Sequence, residues 1–367
     1  MKLGSIEDLY SIYCAHPSVV TDTRKLKSGD LYFALKGPNF NGNVFAIAAL
    51  ESGAAYAIVD EAIADSDSYQ DRIILVQDVL TTLQQLAKYH RQQFDIPFIA
   101  ITGSNGKTTT KELVFAVLSS HFKTYTTQGN LNNHIGVPLS LLSMTPDTEI
   151  GIIEMGANHI GEIEFLCNIA MPEYGVITNV GKAHLEGFGS LEGVLEAKTE
   201  LYRYIDKRNG VLFIKDNQNN LLEKRSEGTK FFTYGSLEKS TYKIRFIEAQ
   251  PKVVVSYEDK HINSQLIGDY NFDNIALSIA IGLHFKVDKE DIKKALELYV
   301  PTNNRSQIVN TASNTILLDA YNANPMSVEK AIQTLSSNEH ENKMIILGDM
   351  FELGKESKKE HIKIINL

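Results

Sequence analysis

The segment PFIAITGSNGKTTTKE at residues 97–112 restricts the fold more than any other part of the chain. It opens on a short, unbroken apolar run, the pattern of a strand covered on both faces in a parallel sheet. Its second half passes through Gly103 and Gly106 into a helical pattern near Thr108. Strand, glycine turn and helix in that order aim backbone N–H groups and a helix N-terminus at an anion. The spacing differs from the common phosphate loop G-x-x-x-x-G-K-[ST], because the place of its first glycine holds Ile101. In a shortened loop of this kind Lys107 would reach the β- and γ-phosphates of a nucleotide, and the Thr108 hydroxyl would bind Mg²⁺. The plain alternative is a strand-to-helix turn with an exposed lysine. The coincidence of strand, glycines, Lys-Thr and helix weighs against it.

Strand and helix patterns keep alternating. Apolar runs at 31–35, 150–154, 174–178 and 210–214 read as strands, and 44–52 and 79–94 read as helices. That order gives an α/β class. The β-branched run at 253–257 predicts antiparallel strands on the edge of the central part, and helices over 274–284 and 289–299 close it. Runs at 315–319 and 343–347 read as two parallel strands of a third part. Boundaries near Asp95 and Pro301 give expected domains of 1–95, 96–299 and 300–367. The third is short for a domain, so it is expected to be incomplete.

A formal charge of −9 and a pI near 5.6 argue against a nucleic-acid partner held by its phosphates. The start, MKLGSIEDLY, lacks the apolar core of a signal peptide, and no uncharged apolar run reaches spanning length. A cytoplasmic protein without a membrane span is expected. Cys14 and Cys167 share no metal-ligand spacing and read as two reduced, packed thiols.

Several polar residues carry two readings each. Glu154 closes an apolar strand near the phosphate loop, where an acid can hold Mg²⁺; a solvated strand-end carboxylate is the alternative. His184, in a glycine-flanked loop, reads by itself as a surface histidine. The loop GNLNNHIGVP has three asparagines before Pro138, suited to a sugar or a diphosphate or simply to turns. Asn274, supported by Asn271, could pair with the edge of adenine; a helix cap explains them equally well. Lys198 takes the vacant place in a helical stripe of Leu191, Val194, Leu195, Leu201, Tyr202 and Ile205, after Ser190 as N-cap. Periodicity alone favours a stem packed on that stripe and an amine reaching water.

The compact T-G-x-x-G-K-T loop resembles that of the Mur ligase and folylpolyglutamate synthetase superfamily, ATP-dependent enzymes that join a carboxylate to an amine. Five further segments agree: TQGNLNNHIGVPLSLL, EMGANHIGEI, TNVGKAHLEGFGSLEGVLEAKTEL, DAYNANPMS and LGDMFELG. They resemble the Mur ligases that add D-alanyl-D-alanine to UDP-N-acetylmuramoyl-tripeptide in peptidoglycan synthesis, and the last two segments separate these from their sister enzymes. The resemblance implies a three-domain architecture, with a central P-loop-like parallel-sheet ATPase domain and a Rossmann-like C-terminal domain. It implies ATP and Mg²⁺ as cofactors, UDP-N-acetylmuramoyl-tripeptide and D-Ala-D-Ala as substrates, and a monomer.

By the same resemblance Gly103, Asn105, Gly106, Lys107, Thr108 and Thr109 surround the nucleotide, with Asn271, Asn274, Arg305 and Asp319 completing that site. Thr108 and Glu154 hold a first Mg²⁺. His184 and Lys198 hold a second, Lys198 as a carbamate, and Lys107, Lys198 and His184 are the catalytic set. Thr23 and Arg24 in TDTRKLKSGD, together with Asn130, Asn133, Tyr321, Asn322 and Asn324, face the substrates. Two places depart from the family pattern: Tyr270 replaces a histidine in GDYNFDN, and FNGN at 40–43 stands where Phe-Asp-Gly-His is usual. Two rivals remain, a folylpolyglutamate-type ligase and a non-catalytic binding protein of the same fold.

Overall fold

The computed structural model describes residues 5–64, 67–337 and 342–367, so Met1 to Gly4, within the stretch examined for a signal peptide, lie outside the described residues. Tertiary contacts divide the chain into two compact units. One joins Met1–Ile96 with Thr127–Thr148 and Phe165–Met171; the other holds Pro97–Thr126, Glu149–Glu164 and Pro172–Leu367.

The first unit is built on a parallel four-stranded sheet in the order Val19–Val20, Leu31–Phe33, Tyr56–Val59, Ile73–Leu75. All three residues of Leu31–Phe33 are buried, as a strand covered on both faces requires. The alanine-rich pattern at 44–52 resolves into a 3₁₀ turn, Gly42–Phe45, and a short helix, Ala46–Glu51. Helix Val79–Arg91 starts where the Asp78 side chain accepts from the Thr81 N–H at 2.6 Å, and it buries Val79, Leu83, Leu86 and Ala87 along one face. Cys14 is exposed on helix Ile6–Ala15 while Cys167 is buried, which corrects the expectation of two packed thiols: Cys14 follows the buried Tyr13 and turns to the helix's outer side.

The second unit carries a nine-stranded sheet. From one edge its order is Lys260–Asn263, Val253–Tyr257, Tyr242–Ala249, Lys230–Gly235, Val211–Lys215, Tyr174–Ile177, Phe98–Thr102, Ile150–Glu154, Thr124–Thr126. The first two pairings are antiparallel and the rest parallel, as the β-branched run at 253–257 predicts. Side-chain alternation sends Ile99, Ile101, Val176 and Phe213 into the cluster under helices Lys107–Leu118 and Asn271–His284. Gly175 faces the opposite side, where Leu201 and Ile205 of helix Leu191–Lys207 pack. The phosphate-loop segment therefore leaves an inner strand, third from one edge of the sheet, with helices on both faces.

The third part departs from expectation. Thr315–Leu318 pairs antiparallel with Gln307–Asn310, in a sheet of two strands rather than a parallel one. Residues 343–347 form no strand, and Met344 and Ile346 are 79% and 85% exposed. A parallel strand needs hydrogen-bonding neighbours and cover for its apolar side chains, and this run has neither among the described residues. Among the described residues no helix is long and apolar enough to cross a membrane.

Candidate active site

Strand Phe98–Thr102 is wholly buried and delivers the chain into the glycine loop. Gly103 has φ +143°, and a Cβ there would stand 2.0 Å from Thr178 Oγ1; Gly106, at φ +80°, is the N-cap of helix Lys107–Leu118. Both positions demand glycine. Lys107 curls back over the loop and its Nζ donates to the carbonyls of Gly103 at 2.8 Å and Ser104 at 3.2 Å. Burial holds its amine below the usual lysine range; Glu154 opposes that effect and Arg305 adds to it. Thr109 is half-buried in the first helical turn.

The loop is laced to the passage that follows strand Tyr174–Ile177. Thr178 Oγ1 donates to the Asn105 carbonyl at 2.6 Å, Asn179 Oδ1 accepts from the Asn105 N–H at 3.0 Å, and Ser104 Oγ exchanges hydrogen bonds with Gly181, both 3.0 Å. Sequence reasoning missed Thr178 and Asn179 in this role. The available signal was a polar TNVG directly after an apolar strand.

Thr108 Oγ1 donates to Glu154 Oε1 at 3.2 Å, both side chains buried, so these two expected metal ligands meet. Lys111, one turn after Lys107 and also missed, brings its Nζ to 4.0 Å from Glu154 Oε2 and is 2% exposed.

Ser190 caps helix Leu191–Lys207, accepting from the Gly193 N–H at 3.1 Å. Lys198 is 1% exposed, so its amine does not reach water, a correction to the snorkelling reading. The helix runs too deep on that face: Nζ donates to the Ala157 carbonyl at 3.4 Å and lies 5.3 Å from the centre of the Phe188 ring. Burial, with Lys107 adding to it, pushes its pKa down to about 7. Two residues on, the buried Glu200 accepts from the N–H groups of Gly161 and Glu164 at 2.5 and 2.9 Å, pinning the GANHIGE loop that supplies Ala157.

His184 sits in a left-handed conformation, φ +52°, with Nδ1 against the Glu352 carboxylate. Burial lowers its pKa and Glu352 raises it. Asn324 caps helix Pro325–Ser336 and its Nδ2 donates to Asn105 Oδ1 at 2.6 Å, which brings the NANP segment onto the glycine loop. The Arg305 guanidinium lies 4.0 Å from the centre of the Tyr321 ring, and burial raises the Asp319 pKa while Arg305 lowers it. Asn322 Oδ1 accepts from the Ala323 N–H.

Asn274 Oδ1 accepts from Thr110 Oγ1 at 2.9 Å, and its Nδ2 donates to Asn271 Oδ1 at 2.8 Å. Asn271 Nδ2 in turn donates to the Ile267 carbonyl. These amides tie helix Asn271–His284 to helix Lys107–Leu118 immediately behind Gly106.

The remaining expected residues belong to the other compact unit. Arg24 is exposed and paired with Asp22, which caps the 3₁₀ turn Thr23–Lys25. Asn133 Oδ1 accepts from the Ile135 and Gly136 N–H groups, and Asn130 is exposed. Among the described residues no three His, Cys, Asp or Glu side chains converge as a metal-holding group. A magnesium site need not contain one, since that ion keeps water and substrate phosphates as ligands.

Comparison with known proteins gives three family matches along the chain: "Mur ligase family, catalytic domain" over residues 18–91, "Mur ligase middle domain" over 101–282, and "Mur ligase, glutamate ligase domain" over 304–367. The UDP-N-acetylmuramoyl-tripeptide--D-alanyl-D-alanine ligase of Bacillus subtilis is 40% identical over 342 residues, 92% of this chain and 74% of that protein. A crystal structure of MurF from Acinetobacter baumannii superposes with a TM-score of 0.85 at 33% identity, covering 95% of this chain and 77% of that one. MurF ligase from Thermotoga maritima in complex with ADP gives 0.81 at 29% identity, with 95% and 81% covered. With a glycine loop, a Thr108–Glu154 pair and a buried lysine at one end of the sheet, and with these matches from residue 18 to residue 367, the chain belongs to the Mur ligase family.

Proposed function

We propose that this chain is an ATP-dependent carboxylate–amine ligase that adds D-alanyl-D-alanine to UDP-N-acetylmuramoyl-tripeptide, acting as a monomer in the cytoplasmic stage of peptidoglycan synthesis. In this reading the chain is organised as 1–95 for the UDP-sugar, 96–299 for ATP and 300–367 closing over it. The observation that carries it is the buried Thr108 hydroxyl 3.2 Å from the buried Glu154 carboxylate at the foot of the glycine loop.

Those two hard oxygen donors suit Mg²⁺, and the space that a Cβ on Gly103 or Gly106 would fill suits closely approaching phosphates. The residues fit the group: Thr108 and Glu154 would hold the ion, and Lys107, Asn105 and Thr109 would face the nucleotide. Magnesium, when bound, supplies countercharge to the phosphates. The tripeptide's terminal carboxylate takes the γ-phosphoryl group, releasing ADP; the D-Ala-D-Ala amine then displaces phosphate and forms the amide. Lys107 offers a positive charge that is already in place, and the lacing of Asn105 to Thr178 and Asn179 keeps the loop from rearranging. Arg305 and Asp319 would approach the nucleotide from the third part, and Asn271 and Asn274 would support the loop from behind while meeting adenine. Thr23, Arg24, Asn130 and Asn133 would face the UDP-sugar, with Tyr321, Asn322 and Asn324 on the incoming substrates.

Lys198 is assigned a carbamate in this scheme. Its ammonium would first lose a proton to the buffer; the neutral amine would then attack CO₂, forming the N–C bond and releasing a second proton to the buffer, which leaves an anion suited to a second Mg²⁺ beside His184. Deep burial and a pKa brought down to about 7 support this, because much of the amine is then unprotonated at neutral pH.

The test supplies UDP-N-acetylmuramoyl-tripeptide with D-Ala-D-Ala, and in parallel a pterin acceptor with glutamate, and reads products by mass. Extension of the UDP-peptide by D-Ala-D-Ala is the expected result. Extension of the pterin alone would move the chain to the folylpolyglutamate class, and nucleotide binding without either product would make it a binding protein.

A further inference from the structure

The segment GDMFELG at 348–354 has no chemistry assigned to it above, yet it reaches the His184 loop through several contacts. The Glu352 carboxylate meets His184 Nδ1, and the Glu352 carbonyl accepts from the Glu186 N–H at 3.2 Å. A few residues further on, Glu360, 3% exposed, accepts from Lys182 Nζ at 2.6 Å. Glu352 and His184 both hold left-handed backbone conformations, φ +61° and +52°, which non-glycine residues adopt rarely and at a cost that the surroundings must offset. Two such residues facing one another, across 168 positions of sequence, mark an arrangement fixed from both sides.

We propose that Glu352 is a positioning residue for His184. Resting on the ligase reading above, it deepens that reading. A carboxylate accepting from Nδ1–H fixes the tautomer and turns the lone pair of Nε2 outward as the nitrogen available to an electron acceptor. The ring is then held in one orientation, with Lys107 and Lys198 both close enough to act on the imidazole electrostatically. Lys182 and Glu360 fasten the His184 loop to helix Ser357–Ile365, which follows the segment, and so offer a clamp distinct from the Glu352–His184 contact.

The experiment uses the full chain and needs no substrate for its first readout. Two-bond ¹H–¹⁵N correlation spectra of the His184 ring are compared for the wild type, Glu352→Ala, Glu352→Gln and Lys182→Ala. The wild type should show the Nδ1–H tautomer, Glu352→Ala a mixture, and Glu352→Gln, whose amide oxygen still accepts, the wild-type pattern. Lys182→Ala should leave the tautomer unchanged. In the second readout, Mn²⁺ titrations with ADP present, followed by electron paramagnetic resonance, should show about a tenfold weaker Mn²⁺ affinity for Glu352→Ala and recovery in Glu352→Gln. An Nε2–H ring in the wild type, or one that ignores Glu352→Ala, overturns the proposal even if the protein is an active ligase. A failed ligase assay with the predicted tautomers would strike the functional reading alone.

Discussion

Arg91, in the first unit, is 4% exposed and donates to the carbonyls of Ala170, Phe94 and Met171 at 2.9–3.0 Å. Beside it the buried His90 stands among Tyr10, Tyr13 and Phe94, with Tyr10 Oη 3.1 Å from its Nδ1. In the second unit Lys198 is also buried and Lys107 partly so, but they lie on a helix next to a glycine-rich loop and on a glycine loop respectively. Both units draw positive or titratable groups wholly or partly out of water. In the first unit the guanidinium satisfies backbone that would otherwise be buried unpaired, a use that stabilises the fold. In the second, among the described residues, the amines donate to backbone carbonyls of glycine-rich loops, and displaced pKa values there accord with the proposed chemistry. Burial of charge alone therefore does not single out a functional site; the proposal for the second unit rests on the glycine loop and the Thr108–Glu154 pair as well.

The largest expected effect is on Lys107. Lys107→Ala should cut ATP turnover by about 10⁴-fold, on the proposed role of its charge in phosphoryl transfer. Its melting temperature should stay near the wild type. Unchanged turnover would return the loop to a plain turn and erase the contrast between the units. Lys198→Ala should lose about 10³-fold in turnover, with formate restoring part of it as a replacement anion. A fully active variant would put Lys198 in the same structural class as Arg91.

His90 sharpens the contrast through pH. Burial pushes its imidazole down to about 4, with a backbone hydrogen bond at Met144 pulling the other way. Because the folded value lies below the ordinary 6.5 or so, the unfolded chain takes up the proton first as the pH falls. The stability contribution is intact above about pH 6.5 and is lost on the way down to about 4, by up to about 3 kcal/mol. Urea midpoints across that window should fall in the wild type and flatten in His90→Gln; parallel curves would contradict this. The smallest effect is expected for Arg91→Met, about 2 kcal/mol of stability from its carbonyl contacts, with turnover by the folded fraction retained. A selective loss of turnover would place Arg91 with the lysines instead.

Much of this was legible along the chain because it is local. The strand Ile150–Glu154, the glycine loop, the Ser190 cap and the antiparallel edge all follow from runs, spacings and caps within a few residues. Periodicity placed Lys198 on the buried stripe but could not give its depth, which depends on how closely Phe188 and the Ala157 loop approach. The lacing of Ser104 and Asn105 by Thr178, Asn179 and Gly181 was invisible for the same reason, as it joins segments more than 70 positions apart. The apolar run at 343–347 has strand composition without strand partners among the described residues, and pairing is a property of neighbours rather than of the run itself.

Lys107 and Lys198 are proposed to belong to one site that couples ATP cleavage to amide formation, which phosphate release from ATP, measured with each substrate omitted in turn, checks without intermediate steps. Sustained release is expected only when UDP-N-acetylmuramoyl-tripeptide and D-Ala-D-Ala are both present, one phosphate per amide formed, and none from Lys107→Ala. Sustained release that ignores either substrate, or amide formation without phosphate, would contradict it.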